Sequence, residues 1–562
     1  TTFSKNNSES VHQTKTHALA ELEKYGFPTV KHEEWKYTNL NNLLKIPALV
    51  WSVLGAVMLW LCWPPFNTGF LLPFAFVPWL ILVEVLFLKG KERKAKWYLM
   101  LGVFIWNVLC TWWVWYASPE GAVFMLVANT LLMTLFWGFY VWVRRKRKDN
   151  WSYAALIGSW ITFEFMHLNW DGNFPWLNLG NGLSANPKLI QWFEFTGTLG
   201  GSLWILITSI LVFHYLLNSN KRNLLIAGLV YVIPMLVSFL IYANYSEKGE
   251  EKEVVILQPN LDPYTVKFTK DAVDISKDMV KLAKEQLTDS TKLLLLPETA
   301  LPGWMVETHI KNQRKVRIIL DLFHEYPNLS IVTGAETYEY LYADRRPTPT
   351  AKHQEKDVYY DSYNTAILLE RYQEPVLYHK SKLVPGPEKV PFINMFHFFE
   401  RFHISIPGSA GSLGVSKEPI VLKTKNGISL APLICYESVF GDYTGEFVKK
   451  GANVLAIITN DAWWASSNGH KHHFLYGAVR AIETRKDIAR SGNTGITAII
   501  NQKGEIVKRG PWWEPYSMKG TIRTNDVITF YVRFGDFIGW LGLGLFVLCI
   551  GVRVFRKGKF NG

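Results

Sequence analysis

Long apolar runs separated by short polar joints fill residues 47–242, give way to mixed sequence over 243–528, and return at 529–555. A helix of about 20 apolar residues crosses the hydrocarbon of a bilayer with its backbone groups satisfied internally. Eight runs meet or approach that length: 47–63, 67–88, 97–117, 121–143, 151–169, 189–217, 223–242 and 529–555. The first is short and ends at Trp63-Pro64-Pro65. The pattern predicts a polar N-terminal extension (1–45), a seven-helix transmembrane part (46–242), a folded domain (243–528), and a final transmembrane helix with its tail (529–562).

Within 243–528 the apolar period changes. Glu253 to Gln258 reads as a strand, 270–288 as an amphipathic helix, Leu293 to Leu296 as a buried strand, 308–324 as a helix, and Ser330 to Gly334 as a strand. Lys425-Asn426-Gly427 between two apolar runs predicts a hairpin, with positive φ at both Asn and Gly. Its second arm, Ile428 to Ile434, delivers Cys435; Val454 to Ile458 is a further strand and 470–488 a helix. Strands alternating with amphipathic helices predict an α/β sandwich with helices on its outer faces.

Charge adds orientation. The net charge is +13, concentrated in short clusters between apolar runs: Lys89 to Lys96, Arg144 to Lys148, and Lys221-Arg222. The intervening loops carry almost no Lys or Arg, Lys188 excepted. This placement is a topology signal rather than a nucleic-acid footprint, and puts the basic loops on the cytoplasmic side. The tail with Arg553, Arg556, Lys557 and Lys559 then lies inside with the N-terminus, and 243–528 lies outside. The first 45 residues are polar, so no cleavable signal peptide is read there. Aromatic residues crowd span ends, as in Trp112-Trp113-Val114-Trp115-Tyr116, and read as an interfacial belt. The loop Asn173-Phe174-Pro175-Trp176-Leu177 is a candidate lipid contact. Glu84, Glu164, His167 and Glu194 fall in or near spans, functional or solvated.

Of four cysteines, Cys62, Cys110 and Cys549 lie in apolar runs, leaving Cys435 alone in the mixed segment without a disulfide partner there. Glu298, Lys380 and Cys435 each stand at or just past an apolar strand, where α/β folds build their sites. Singly, such a Glu and Lys are usually solvated, and a lone buried Cys is as often an inert small hydrophobe as a nucleophile.

Taken together, Leu296-Pro297-Glu298-Thr299-Ala300, Lys380-Ser381-Lys382-Leu383-Val384-Pro385-Gly386-Pro387-Glu388 and Leu433-Ile434-Cys435-Tyr436-Glu437 resemble the nitrilase-superfamily signatures. Asn460-Asp461-Ala462-Trp463 and Arg480-Ala481-Ile482-Glu483 follow in order. Joined to the membrane pattern, Lys-x-x-Leu-Val-Pro-x-x-Glu resembles the apolipoprotein N-acyltransferase family over about residues 46–556. The resemblance implies a nitrilase-like αββα sandwich on an eight-span bundle, with a Glu298, Lys380, Cys435 triad. Cys435 would be the nucleophile, Glu298 its base, and Lys380 the cation beside thiolate and oxyanion, with the Tyr436 N–H as a second oxyanion donor. Glu388 matches the family's second essential acid; Tyr436, Glu437 and Trp463 match supporting positions. The implied reaction moves an acyl chain from a phospholipid, through a Cys thioester, to the amine of a diacylglyceryl-modified N-terminal Cys of an apolipoprotein. It implies a monomer in the bacterial inner membrane, its catalytic domain on the periplasmic side, with no nucleic-acid partner and no cofactor or metal.

Two stretches depart from the family pattern: Pro385-Gly386-Pro387 stands where Pro-Phe-Gly is usual, and Trp463-Trp464-Ala465 where Trp-Phe-Gly is usual. His470, His472 and His473 have no evident acid partner in the sequence and read as a polar helix start rather than a metal site. Residues in the N-terminal tail, Tyr25 to Thr29 and Lys31 to Thr38, resemble the opening of iron–sulfur cluster assembly scaffold proteins, with none of that fold's core following. The same triad would serve a membrane-tethered amidase or nitrilase with water as acceptor. A transporter or scaffold with an inactive domain is a third class, but no paired broken helices are evident.

Overall fold

The computed structural model describes residues 40–146, 150–263, 265, 266, 269–389, 391 and 412–555. The N-terminal tail to residue 39, Arg147 and Lys148 of the second basic cluster, and Arg556, Lys557 and Lys559 lie outside these described residues. Every one of the eight apolar runs contains a helix: Ala48–Leu61, Val77–Leu88, Ala95–Thr111, Pro119–Arg144, Asn150–Asn169, Phe193–Asn218, Lys221–Asn244 and Phe537–Phe555. Four helical stretches are long and apolar enough to cross a membrane: Gly69–Leu88, Pro119–Arg144, Phe193–Asn218 and Lys221–Asn244. Ala48–Leu61 and Phe537–Arg553 are apolar but shorter. Local breaks explain the shortening. Pro64 and Pro65 follow the first helix, and Gly535 at φ 62° divides Phe530–Phe534 from the last one.

The bundle packs around indoles. Trp63, Trp79, Trp106, Trp137 and Trp160 are fully buried. Their rings meet edge to face, Trp63–Trp106 at 5.5 Å, Trp79–Trp137 at 6.0 Å and Trp137–Trp160 at 6.0 Å, the arrangement that ring quadrupoles favour. The polar residues near spans have structural partners. Glu84 pairs with Arg144, and Glu164 accepts from Trp160 Nε1 and Leu179 N, each at 2.8 Å. His167 Nδ1 accepts from Phe174 N at 3.0 Å, and Glu194 pairs with Arg485 at 2.7 Å.

Two sheets fill the rest. The first holds β1 (Glu250–Gln258), β2 (Leu293–Leu295), β3 (Leu301–Val306), β4 (Ser330–Tyr342), β5 (Lys352–Glu355), β6 (Val358–Glu370) and β7 (Val376–His379). The second holds β8 (Leu422–Lys423), β9 (Ser429–Ile434), β10 (Val454–Thr459), β11 (Ile488–Gly492), β12 (Ala498–Ile500) and β13 (Ile506–Arg509), while β14 (Tyr516–Thr524) pairs antiparallel with β1. The central strands run parallel, β1-β2-β4 in one sheet and β9-β10-β11 in the other. Alternation along β1 shows the layering. Val254 and Ile256 share one buried cluster with the second sheet, whereas Val255 and Leu257 share another with Ile275 and Met279 of the helix Ala272–Lys284.

Three local readings change. The helix expected over 308–324 is a 3-10 turn (Glu307–Asn312) and two short helices, Arg314–Leu320 and Leu322–Glu325. The Asn-Gly hairpin forms, but only Gly427 has positive φ (80°); Gly427 N bonds Thr424 O and Thr424 N bonds Ile428 O, a type I turn with a bulge. Asn426 instead spends its amide on Asn328 O at 2.7 Å and Lys292 O at 3.1 Å, tying the two sheets together. The loop at 173–177 does not offer its indole to lipid: Trp176 is buried between Trp113 of the bundle and Tyr436, Trp464 and Tyr476 beyond it. Trp113 departs from its neighbours in the same way; Trp112, Trp115 and Tyr116 are exposed.

The helix Gly469–Thr484 joins the two halves and is buried except at Lys471 and Leu475, which are partly exposed. Phe474, Ala478 and Ala481 enter the inter-sheet core, while Tyr476, Val479 and Ile482 enter the core of the bundle. The buried charges of this helix are paired within it, Arg480 with Glu483 at 2.7 Å.

Candidate active site

The three sequence-predicted residues come from strand ends of both sheets. Glu298 lies three residues past β2, Lys380 directly follows β7, and Cys435 directly follows β9. Ile434 pairs with Ile458, so the parallel neighbour β10 ends beside Cys435 and adds Asn460 and Asp461. Gly334 allows the close approach: a Cβ there would meet Thr299 N at 2.5 Å, Pro297 O at 2.6 Å and Glu298 Cα at 2.7 Å.

Lys380 is the hub. Its ammonium lies 2.7 Å from Glu388 Oε1 and 3.2 Å from Glu298 Oε1, with 1% of its side chain exposed. Burial works against its charge, but Glu298, Glu388 and Cys435 outweigh it and hold the pKa well above the ordinary lysine value. Lys380 therefore stays an ammonium and cannot act as the base. The Glu298 carboxylate also accepts from Asn364 Nδ2 at 2.8 Å and from Asn460 N at 2.9 Å. Asn364 Nδ2 reaches Glu388 Oε1 at 3.4 Å, and Glu388 Oε2 accepts from Val384 N at 2.8 Å, which closes the loop of the Lys-x-x-Leu-Val-Pro stretch.

Cys435 is buried and adopts φ 52°, a region few non-glycine residues occupy. Burial pushes its thiol strongly upward, Glu298 adds to this, and Lys380 opposes it. The group is thus a thiol at neutral pH, activated only when a base takes its proton.

Glu437 is fully buried and braces the turn. Its carboxylate accepts from Tyr378 OH (2.5 Å), Ser381 N (2.7 Å) and Ile434 N (2.8 Å), linking the Lys380 segment to the Cys435 strand. Burial raises this carboxyl to about 7. Tyr436 points the other way, its OH donating to Asn173 O at 3.1 Å and its ring stacking on Trp176 at 5.7 Å. Trp463 is partly buried; its neighbour Trp464 makes the packed contacts, with Trp113 at 5.0 Å and Trp176 at 5.6 Å.

Asn364 and His473 escaped the sequence reading. Asn364 is a buried amide in β6 among other buried polar residues, Asp361, Ser362 and Thr365, and nothing in the sequence sets it apart from them. His473 was read as part of a polar helix start, yet it is fully buried, its Nδ1 2.9 Å from Asp461 Oδ1. Ligand atoms of Cys435, Asp461 and His473 lie within 4.8 Å of one another. They do not suit a metal ion: both His473 nitrogens already face partners, and Arg490 sits on Asp461 as the local cation.

The departures from the family loops have clear conformations. Gly386 takes φ 97° and donates its N–H to Lys389 O at 2.8 Å. Ala465, where glycine is usual, takes φ 48° and ψ −150°, a glycine region.

Comparison with known proteins gives a consistent picture. The profile of the apolipoprotein N-acyltransferase N-terminal domain matches residues 55–211, and that of carbon-nitrogen hydrolase matches 258–530. The SufBD protein N-terminal region matches residues 1–47. An apolipoprotein N-acyltransferase of Chlorobaculum tepidum is 25% identical over 538 residues, covering 92% of this chain and 98% of that one. One from Thermotoga maritima is 26% identical over 554 residues, covering 95% and 99%. Among solved structures, Nit3 of Saccharomyces cerevisiae, a member of branch 10 of the nitrilase superfamily, shares 16% identity at a TM-score of 0.35, covering 50% of this chain and 93% of that one. With both profiles in register and relatives matching nearly end to end, the chain belongs to the apolipoprotein N-acyltransferase family.

Proposed function

We propose that this protein transfers an acyl chain from a phospholipid to the α-amine of a lipid-modified N-terminal cysteine of apolipoproteins, through a thioester on Cys435. The observation that carries the reading is the buried ammonium of Lys380 held between Glu298 and Glu388 beside a buried thiol. Glu298 takes the thiol proton as sulfur attacks the ester carbonyl, and the carbonyl electrons move to its oxygen. Lys380 and the Tyr436 N–H stabilise that oxyanion. Collapse expels the lysophospholipid alkoxide, which recovers the proton from Glu298. The incoming amine then attacks the thioester and loses a proton to Glu298; the amide forms and the thiol is restored.

The acceptor is an amine rather than water because the site is built against apolar helices. Tyr436, directly after the nucleophile, packs on Trp176 of the bundle. An open cleft next to the nucleophile's turn is lined by Leu168 and Asn169 at the end of an apolar helix and Asp536 just before the last one, together with Lys382, Phe440 and Asp442. Lipid chains lying along the bundle have a short path to such a site, and a dry surround spares the thioester from hydrolysis. On this reading the part at 46–242 and the final helix together make eight spans, the shorter helices crossing with their flanking turns. The domain at 243–528 stands on the periplasmic face of the bacterial inner membrane. A monomer suffices on this reading, because Glu298, Lys380, Glu388 and Cys435 complete the site without a second copy.

The test incubates the purified full chain with labelled phospholipid and looks for acylated Cys435 by mass spectrometry. The adduct is expected in the wild type and absent in Cys435→Ala. Acyl transfer by Cys435→Ala would end the thioester mechanism.

A further inference from the structure

His473 takes no part in the steps above, yet it lies directly behind the nucleophile. Its Nε2 is 2.9 Å from the carbonyl oxygen of Cys435, and the Ser438 hydroxyl donates to the same oxygen at 2.8 Å. Nε2 and Ser438 Oγ are themselves 2.9 Å apart. On the other side of the ring, Nδ1 is 2.9 Å from Asp461 Oδ1. Asp461 is fixed in turn by the Thr459 hydroxyl at 2.6 Å and by Arg490 Nη2 at 2.5 Å. Arg490 Nη2 also comes within 3.2 Å of Nδ1, and its Nε donates to Ile496 O at 3.1 Å. The side chains of His473, Asp461 and Arg490 are all 0% exposed. Trp464 and Trp176 stand edge-on to the imidazole at 5.6 and 6.0 Å. A carbonyl oxygen can only accept, so Nε2 donates to the Cys435 oxygen.

The oxygen these groups hold belongs to the peptide between Cys435 and Tyr436. In a planar trans peptide the C=O and N–H point in opposite directions, so pinning the carbonyl aims the Tyr436 N–H. Donors on a carbonyl also polarise the amide and strengthen its N–H as a donor. The pin is needed here because Cys435 sits at φ 52°, a conformation that persists only when its surroundings hold it.

We infer that His473, held by Asp461 and Arg490 and assisted by Ser438, is a positioning residue that aims and polarises the Cys435–Tyr436 peptide for the oxyanion of the tetrahedral intermediate. This rests on the thioester reading above. It makes His473 act on the transition state through a peptide bond, without touching thiol or substrate.

The experiment uses the full chain in lipid nanodiscs, with a labelled phospholipid and a diacylglyceryl-cysteinyl peptide. His473→Leu, His473→Gln and Ser438→Ala are compared by kcat and KM for acyl transfer, and by the rate at which iodoacetamide alkylates Cys435, a reaction that forms no oxyanion. His473→Leu is expected to lower kcat about 100-fold, and His473→Gln and Ser438→Ala about 10-fold, with KM within about twofold and alkylation within about threefold of the wild type. Ser438→Ala removes one hydroxyl at little packing cost, so the test stands even if His473→Leu does not fold. A kcat within about threefold of the wild type in both Ser438→Ala and His473→Gln overturns the inference, as does alkylation falling in step with kcat, the mark of a disturbed nucleophile. Cys435→Ala is run alongside: product from that variant defeats the thioester reading, a separate failure from either of these.

Discussion

At the scale of single residues, the site depends on charges placed where water cannot reach them. Lys380 keeps its proton because two carboxylates flank it, whereas the Cys435 thiol keeps its proton because burial and Glu298 outweigh one ammonium. Asp461 shows the opposite balance. Burial alone would raise its carboxyl, but His473 and Arg490 hold it down to about 2. A carboxyl whose folded pKa lies below its usual value near 3.9 stabilises the fold at pH above about 4, and that contribution fades as pH falls toward 2. The shift corresponds to about 2–3 kcal/mol. We expect Asp461→Asn to lower stability at neutral pH and to flatten the fall in stability between about pH 4 and 2, read by denaturation in detergent at each pH. An unchanged acid profile would show that Asp461 is not anchored as described. Glu298, Lys380 and Cys435 could be picked out from sequence because each follows an apolar strand in a motif of distinctive residue types. Asn364 could not, since its amide matters only through Glu298 and Glu388, which reach it from other strands.

At the scale of elements, turns decide whether Glu298, Lys380 and Cys435 meet. The Glu298 turn lies against β4 only because position 334 has no Cβ. In Gly334→Ala the added methyl faces backbone atoms that cannot rotate away. That variant is expected to lose about 1–3 kcal/mol of stability and, because Glu298 is displaced, most of its acyl-thioester formation. Normal thioester yield with unchanged melting would refute this. Ala465 is the converse case: alanine occupies backbone space that glycine enters freely. Ala465→Gly should raise stability by about 1 kcal/mol, seen as a higher melting temperature, with activity kept. The hairpin before Cys435 carries the same lesson. Asn-Gly announced a turn correctly, but Asn426 was drawn from the positive-φ position by carbonyls of the opposite sheet. The stretch 308–324 has helical periodicity and still forms three pieces, the first broken from the second by extended backbone at Gln313.

At the scale of the whole molecule, an aromatic joint fastens the sheets to the bundle. Trp176 meets Trp113, Tyr436, Trp464, His473 and Tyr476. Arg485 adds a polar tie to Glu194 at 2.7 Å and Gln191 at 2.6 Å. Trp176→Ala should remove about 3–5 kcal/mol from this joint and split thermal unfolding into two transitions. A single transition at the wild-type temperature would show that the joint lies elsewhere. On the outside, Lys221–Asn244 leaves Leu225, Leu236 and Leu240 more than half exposed, and Pro119–Arg144 does the same with Phe124 and Leu135. Apolar surface on that scale requires lipid or detergent.

Periodicity, proline and charge act between near neighbours, so they were enough to locate the apolar helices and several strands, while Glu298, Lys380 and Cys435 stood out only through the resemblance of their motifs. Whether Trp176 faces lipid or protein, whether a span acid is paired, and whether a helix-start histidine reaches Cys435 are different questions. Their answers depend on groups far away in the chain. Glu164 meets Ser202, Trp176 meets Trp464, and His473 meets the Cys435 carbonyl only after the sheets have closed on the bundle. In that closed, dry space a hydrogen bond or a charge gains the strength that solvent would have taken from it.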